Sequence, residues 1–258
     1  MKYFTTILLL FSYLNVFGQS EVGLYVDSVQ NYQQAIKVTP KDGYTWEIKD
    51  FDLKEYMNHF NLLKCTRKDV PIICYYAPYP VLKPYLCVLK DESFSSLSEE
   101  EKMEYARNLN NRLFSYLIPK ENSLLAYFQY LYFHEFGEMF ALASPIAHRT
   151  EKRILTSSIE IKRLLKEDSI QRSMCLNDNS ETEVFTWFEY NKTTVLKVLK
   201  KGVNPQIVMR DSDCLITLYE YSRYNGGLYK RVYKIQRSYP YKISLLEEIP
   251  IIKVFDAI

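Results

Sequence analysis

The chain has 258 residues, of which 47% are apolar and 25% charged, with 33 Lys or Arg against 31 Asp or Glu. That composition belongs to a folded globular protein and excludes a disordered one. So even a charge balance predicts neither a nucleic acid nor an anionic membrane as partner on net charge alone. Tyrosine is the outlier, with 23 residues. Its large amphipathic ring serves a core, an interface or a sugar-stacking surface equally well.

The N-terminus reads as an export signal. Lys2 gives one positive charge, Tyr3 to Phe17 is nearly all apolar, and Val16-Phe17-Gly18 has the small-residue character of a cleavage site. This is the layout of a secretory signal peptide over residues 1–18, with Gln19 as the new terminus. The competing reading is an uncleaved anchor or a buried first helix. No later stretch has 18 uncharged apolar residues, so no transmembrane segment is expected after cleavage. The expectation is a secreted or periplasmic chain with residues 19–258 forming a single α+β domain.

Tyr44-Thr45-Trp46-Glu47-Ile48 alternates like a strand after a Lys41-Asp42-Gly43 turn. Asp52 can cap a short helix reaching about Leu63. Two strands around Cys74 and Cys87 flank the proline-rich segment from Ala77 to Pro84. Placing Tyr76 opposite Tyr85 puts Cys74 opposite Cys87, and a disulfide is expected there. The five cysteines are too few for a disulfide scaffold.

A helical layer of about three helices follows over residues 98–168. Ser98-Glu99-Glu100-Glu101 is a capping box, with Ser98 bonding forward and Glu101 reaching back. That helix is expected to run to about Ile118, before Pro119. A second spans about Ser123 to Ala143 and is apolar nearly all round, so it belongs in a core. Ser144-Pro145 opens a third over 145–168, with a weak point near Thr156-Ser157-Ser158.

From about residue 183 the period becomes two, and an antiparallel sheet is expected to about 254. Val184 to Phe188, Thr194 to Leu199, Gln206 to Val208 and Cys214 to Arg223 read as strands. Tyr224-Asn225-Gly226-Gly227 is a hairpin turn, since Asn-Gly suits two positive φ angles. A two-residue Asn225-Gly226 loop would pair Ile216 with Ile235, Leu218 with Tyr233 and Glu220 with Arg231. The tail from Lys242 to Val254 reads as one more strand, with Pro250 favouring an edge. The helical layer is expected to pack on this sheet, beside a small mixed N-terminal region.

Seven glycines, only one adjacent pair of them, leave no phosphate loop and no dinucleotide fingerprint. GxSxG and CxxC are both absent, which removes the hydrolase elbow, the zinc ribbon and the thioredoxin-type site. Two candidate sites survive. Phe133-His134-Glu135-Phe136-Gly137-Glu138 resembles half of an HExxH helix with glutamate at the second ligand position. His134 and Glu138, four residues apart, can reach one divalent ion. His148 could be a third ligand, and Glu135 the catalytic base of a metal-dependent hydrolase. The plainer account is a polar stripe on a core helix, and the missing second histidine favours it. Gly137 within a helix asks for close packing or for space. The second site is the sheet around Tyr221, Arg223, Lys230 and Lys234, where basic and aromatic side chains interleave and could take a glycan or a peptide. The plainer account there is the wet face of a half-buried sheet. Export makes nucleic acid a poor partner. The sequence therefore favours an exported binding or interaction module over the metal hydrolase.

Overall fold

The computed structural model describes residues 21–40, 46–49, 51–67, 71–76, 84–89, 92–137, 152–177, 186–222 and 226–256. The expected signal peptide, the Lys41-Asp42-Gly43 turn and the helix start at Ser144-Pro145 lie outside them. The fold is mixed α+β, with six helices and a six-stranded antiparallel sheet in its C-terminal part among the described residues. The chain divides into two compact units, Ser28–His148 and Met1–Asp27 with Arg149–Ile258. The division falls within helix α1, residues 21–35.

The Ser28–His148 unit is built on aromatic rings. Strands β1 (Lys37–Pro40) and β2 (Trp46–Lys49) form a hairpin ladder. Helix α2 (Leu53–Asn58) starts on Asp52, whose carboxylate accepts from the amides of Lys54 and Glu55. It is shorter than the sequence suggests, and the chain turns at His59 into β3 (Leu63–Cys65), which pairs with β6 (Leu117–Pro119). Helix α4 (Leu124–Phe136), capped by Ser123, buries every residue from 126 to 133. This is the core helix its all-round apolarity predicts. Phe60 meets Phe133 edge-on with ring centroids 4.7 Å apart and Tyr56 at 5.3 Å. Such pairs add to what burial of the rings already contributes.

Gln33, Tyr56 and Tyr132 are bonded to one another inside this core. Gln33, 2% exposed, accepts from the Tyr132 hydroxyl at 3.0 Å and donates to the Tyr56 oxygen at 3.2 Å. Tyr56, fully buried, donates to the Gly137 carbonyl at 2.6 Å. Three segments distant in sequence are thus fastened by one glutamine and two phenols.

The Ser98 capping box is present in full at the start of α3 (Glu99–Arg107). The helix then ends at Asn108 instead of running to Ile118. Asn108 is extended at ψ 116°, and its side chain accepts from the Asn110 amide to open a short 3₁₀ turn. Asparagine competes with helix by bonding its own backbone, which explains the break. Strands β4 (Ile72–Tyr76) and β5 (Pro84–Val88) pair as expected in kind but not in register. Cys74 faces Leu86, and Cys87 faces Ile73. A slip of one residue reverses every side chain, so the two cysteines point to opposite faces. Both are free thiols, and the expected bridge is overturned. Burial is the main reason both are pushed up, Cys74 to about 12 and Cys87 to about 11.

In the other unit, strand β7 (Lys152–Ile154) replaces the first part of the expected third helix, and α5 (Ser158–Asn177) begins after it. Ser157 accepts from the Ile159 amide at 3.1 Å, so the Thr156-Ser157-Ser158 weak point is where a new helix starts. Next come β8 (Thr186–Tyr190), α6 (Lys192–Lys201), β9 (Gln206–Met209), β10 (Asp213–Ser222), β11 (Gly227–Gln236) and β12 (Ile243–Asp256). The sheet order is β7-β10-β11-β12-β8, with β9 on the same edge of β10 as β7 but at its other end.

Two expectations change here. Thr194 to Leu199 is helical, not a strand. Asn191 caps α6 through the Thr194 amide, and Gly202 closes it at φ 82°. The β10–β11 hairpin is shifted by two residues: Ser222 pairs with Gly227, Ile216 with Tyr233 and Leu218 with Arg231. A shift of two keeps each side chain on its face, so the Glu220–Arg231 ion pair forms diagonally, at 2.5 Å. Helices α5 and α6 cover one face of the sheet. Ile161 and Leu164 from α5 and Val195 and Val198 from α6 meet Phe188, Tyr221, Leu228 and Ile252 in one apolar cluster.

Candidate functional site

His134 and Glu135 lie in the last turn of α4, where the sequence places a metal site. The His134 Nδ1 lies 3.4 Å from a Glu135 carboxylate oxygen. The imidazole packs beside Phe114 at 4.8 Å and Tyr130 at 6.4 Å. Glu138 and His148, the other two expected ligands, lie outside the described residues. Among the described residues no three His, Cys, Asp or Glu gather closely enough to hold a metal ion. Gly137 follows α4 as its C-cap, donating to the Phe133 carbonyl at 2.9 Å. A Cβ there would lie 2.5 Å from that carbonyl oxygen, so close packing accounts for the glycine.

The expected sheet surface is distributed differently. Tyr221 is 8% exposed and sits in the core between the helices and the sheet. Arg223 lies outside the described residues. Lys230 is paired with Glu247 at 3.0 Å, and Lys234 is half-buried on the ladder between Leu215 and Ser244. On the opposite face Glu220, 3% exposed, holds Arg231 at 2.5 Å and Lys152 at 3.7 Å, while Arg231 reaches Glu248 at 2.8 Å. Burial opposes the charge of Arg231, but Glu220 leads the groups that hold its pKa above the ordinary value. A buried carboxylate flanked by two cations fixes strands more readily than it recognises a ligand.

An open cleft does exist where β8 stops. Strand β8 covers β12 only from Ile252 to Asp256, so residues 243–250 of β12 pair with β11 alone. At the junction the ladder between β11 and β12 skips Ile251, a β-bulge that bends the strand. The cleft has a volume of about 310 Å³ and is lined by Glu189, Tyr190, Asn191, Pro250, Ile251 and Lys253. Ile251, 5% exposed, belongs both to this lining and to the apolar cluster under the helices. Tyr190 is 40% exposed, which leaves much of its ring open, and Pro250 is exposed as well. Glu189, Asn191 and Lys253 add an acceptor, an amide and a donor around two flat apolar surfaces.

Sequence reasoning missed this cleft because its two halves lie about sixty residues apart. The one signal was Pro250, read as an edge residue. The strand as a whole is interior, but its Pro250 end is a free edge, because β8 does not reach it. Comparison of the chain with protein-family models, curated proteins and solved structures gave no match.

Proposed function

We propose that the chain is an exported binding protein whose cleft between β8 and β12 takes a small neutral sugar ring. The observation that carries this reading is the exposed Tyr190 ring beside Pro250, rimmed by Glu189, Asn191 and Lys253, with buried Ile251 in the same lining. A sugar ring offers C–H groups to an aromatic face and hydroxyls to donors and acceptors at its edge. The volume is at the small end of ligand clefts, which begin at about 300 Å³, so it suits one ring and not a large cofactor.

An extended peptide added to the free edge of β12 is the competing occupant. Three features guard that edge: Pro250 has no N–H to give, the ladder is bulged at Leu246 and Ile251, and Glu247 and Glu248 stand on it. These are the devices by which sheets resist strand addition.

The test is a titration of the purified protein with a panel of neutral mono- and disaccharides, beside unstructured tripeptides, followed by ligand-observed NMR. Binding of a saccharide that weakens roughly tenfold in Tyr190→Ala, the scale of one aromatic contact, supports the reading. Peptide binding without saccharide binding, or saccharide binding indifferent to Tyr190, overturns it.

A further inference from the structure

The chain is nearly neutral overall, yet its charge is not evenly placed. Helix α5 presents Ile159, Lys162, Arg163, Lys166 and Glu167 to solvent at the spacing of one helical stripe. Helix α6 turns Val195 and Val198 inward and presents Lys192, Leu196, Lys197, Lys200 and Lys201. The two helices touch each other and cover the same face of the sheet, so their outer stripes form one surface. Among the described side chains it holds seven cations. Two carboxylates oppose them. Glu167 is engaged by Arg163 at 3.8 Å, and half-buried Glu160 accepts from the Thr156 amide at 3.4 Å. The remaining acid of this stretch, Asp168, is 2% exposed and bonds inward to the Phe188 amide.

Two aliphatic side chains stand among these cations. Ile159 is 74% exposed and Leu196 47%. A core has no use for them there. A basic helical surface with protruding aliphatic groups is the arrangement that settles into the headgroup region of a bilayer, the cations meeting phosphates and the aliphatics entering the acyl boundary. A single-stranded nucleic acid would call instead for stacking rings, and the phosphate backbone of a duplex offers no apolar layer for Ile159 and Leu196 to enter. Among its described side chains this surface has no aromatic residue, and its one arginine is paired with Glu167.

We propose that the outer face of α5 and α6 docks on an anionic phospholipid surface. Seven cations supply long-range attraction that salt screens, and Ile159 and Leu196 supply the part that survives salt. The cleft at β8 and β12 is not required for this binding, so the two readings stand or fall separately.

The experiment is co-sedimentation of the full chain with vesicles of phosphatidylcholine alone, and of phosphatidylcholine containing phosphatidylglycerol, at low and high salt. Binding is expected only to the anionic vesicles. Lys197→Gln/Lys200→Gln/Lys201→Gln should weaken it on the order of 100-fold, since each surface cation contributes about fivefold. Lys162→Gln/Lys166→Gln, on the other helix, should weaken it roughly 25-fold by the same measure. Ile159→Ser/Leu196→Ser should abolish what remains at high salt. All these positions are exposed, and circular dichroism of each variant confirms that it is folded. Equal binding to neutral vesicles, no loss in either lysine variant, or equal capture by heparin with no effect of the serine variant would overturn the proposal, the last by making the surface a general polyanion binder.

Discussion

Tyr56→Phe removes one oxygen atom from the Ser28–His148 core and nothing else. That oxygen donates to the Gly137 carbonyl at 2.6 Å and accepts from Gln33 at 3.2 Å, with no access to water. Deleting it strands a buried carbonyl and weakens the hold on a buried amide. The Gln33 amide keeps only a long contact of 3.5 Å to the Phe136 carbonyl. A stranded buried polar group costs about 1–3 kcal/mol, so the substitution should cost about 2–4 kcal/mol. Tyr132→Phe strands the Gln33 carbonyl oxygen alone and should cost about 1–2 kcal/mol. Because both phenols act on one glutamine, the double variant should cost less than the sum. Urea unfolding reads this directly. The chain has two tryptophans, Trp46 in this unit and Trp187 in the other. In a Trp187→Phe background, Trp46 fluorescence reports this unit alone. With a slope near 2 kcal/mol per molar, the midpoint should fall by about 1–2 M. A fall of less than about 0.25 M, or strict additivity with Tyr132→Phe, would refute a shared buried network.

Four further outcomes follow from local geometry. Ser98→Ala removes the acceptor that caps α3 and should cost about 1 kcal/mol by the same unfolding assay. Gly227→Ala should prevent stable folding of the sheet, because φ is 98° and the added carbon would collide with the Ile252 carbonyl; a variant with native thermal stability contradicts this backbone. Burial, outweighing nearby Glu55, holds the His59 pKa below its ordinary value. The unfolded chain therefore binds the proton more readily. His59 favours the fold fully above about pH 6.5 and loses that contribution as pH falls toward its lower folded pKa. His59→Gln should flatten the pH dependence of stability in that window, and an unchanged profile counts against the assignment. Alkylation of unreduced, denatured protein should modify both Cys74 and Cys87, whereas a peptide pair joined through them would restore the rejected register.

Signals confined to a few residues were legible. The Ser98 box, the Asp52 cap and the all-round apolarity of α4 each depend on residues close together in the chain. Registers were not, because they depend on how a turn is built. The sequence suggests a two-residue loop at Asn225-Gly226, but β10 ends at Ser222 and β11 begins at Gly227. The faces survived that error because sheet side chains repeat every two residues. The β4–β5 error was one residue, and it cost the disulfide. Helix α6 was misread because its Thr-Thr-Val start has strand propensity. The decisive signals were Asn191 before it, Lys200 and Lys201 in its last turn and Gly202 after it. Of the expected sites, His134 and Glu135 end α4 while Glu138 and His148 lie outside the described residues, and Tyr221 went to the core because its strand face is covered by helices.

The sheet unit takes its residues from both ends of the chain, with Ser28–His148 set between them. That placement orders events in time. As the polypeptide leaves a ribosome, the inserted unit has all its residues at His148, well before β12 begins at Ile243. The sheet must wait for β12, which lies between β11 and β8. Tyr190 has to hold its place until Ile252, its ladder partner, arrives. Until then β8 and β11 both present open edges, and long-range strand pairing of this kind is slow. A stall or a protease cut just before Ile243 would leave a finished first unit tethered to a sticky, half-built second one. Between residue 190 and residue 252 those edges wait without the strand that closes them.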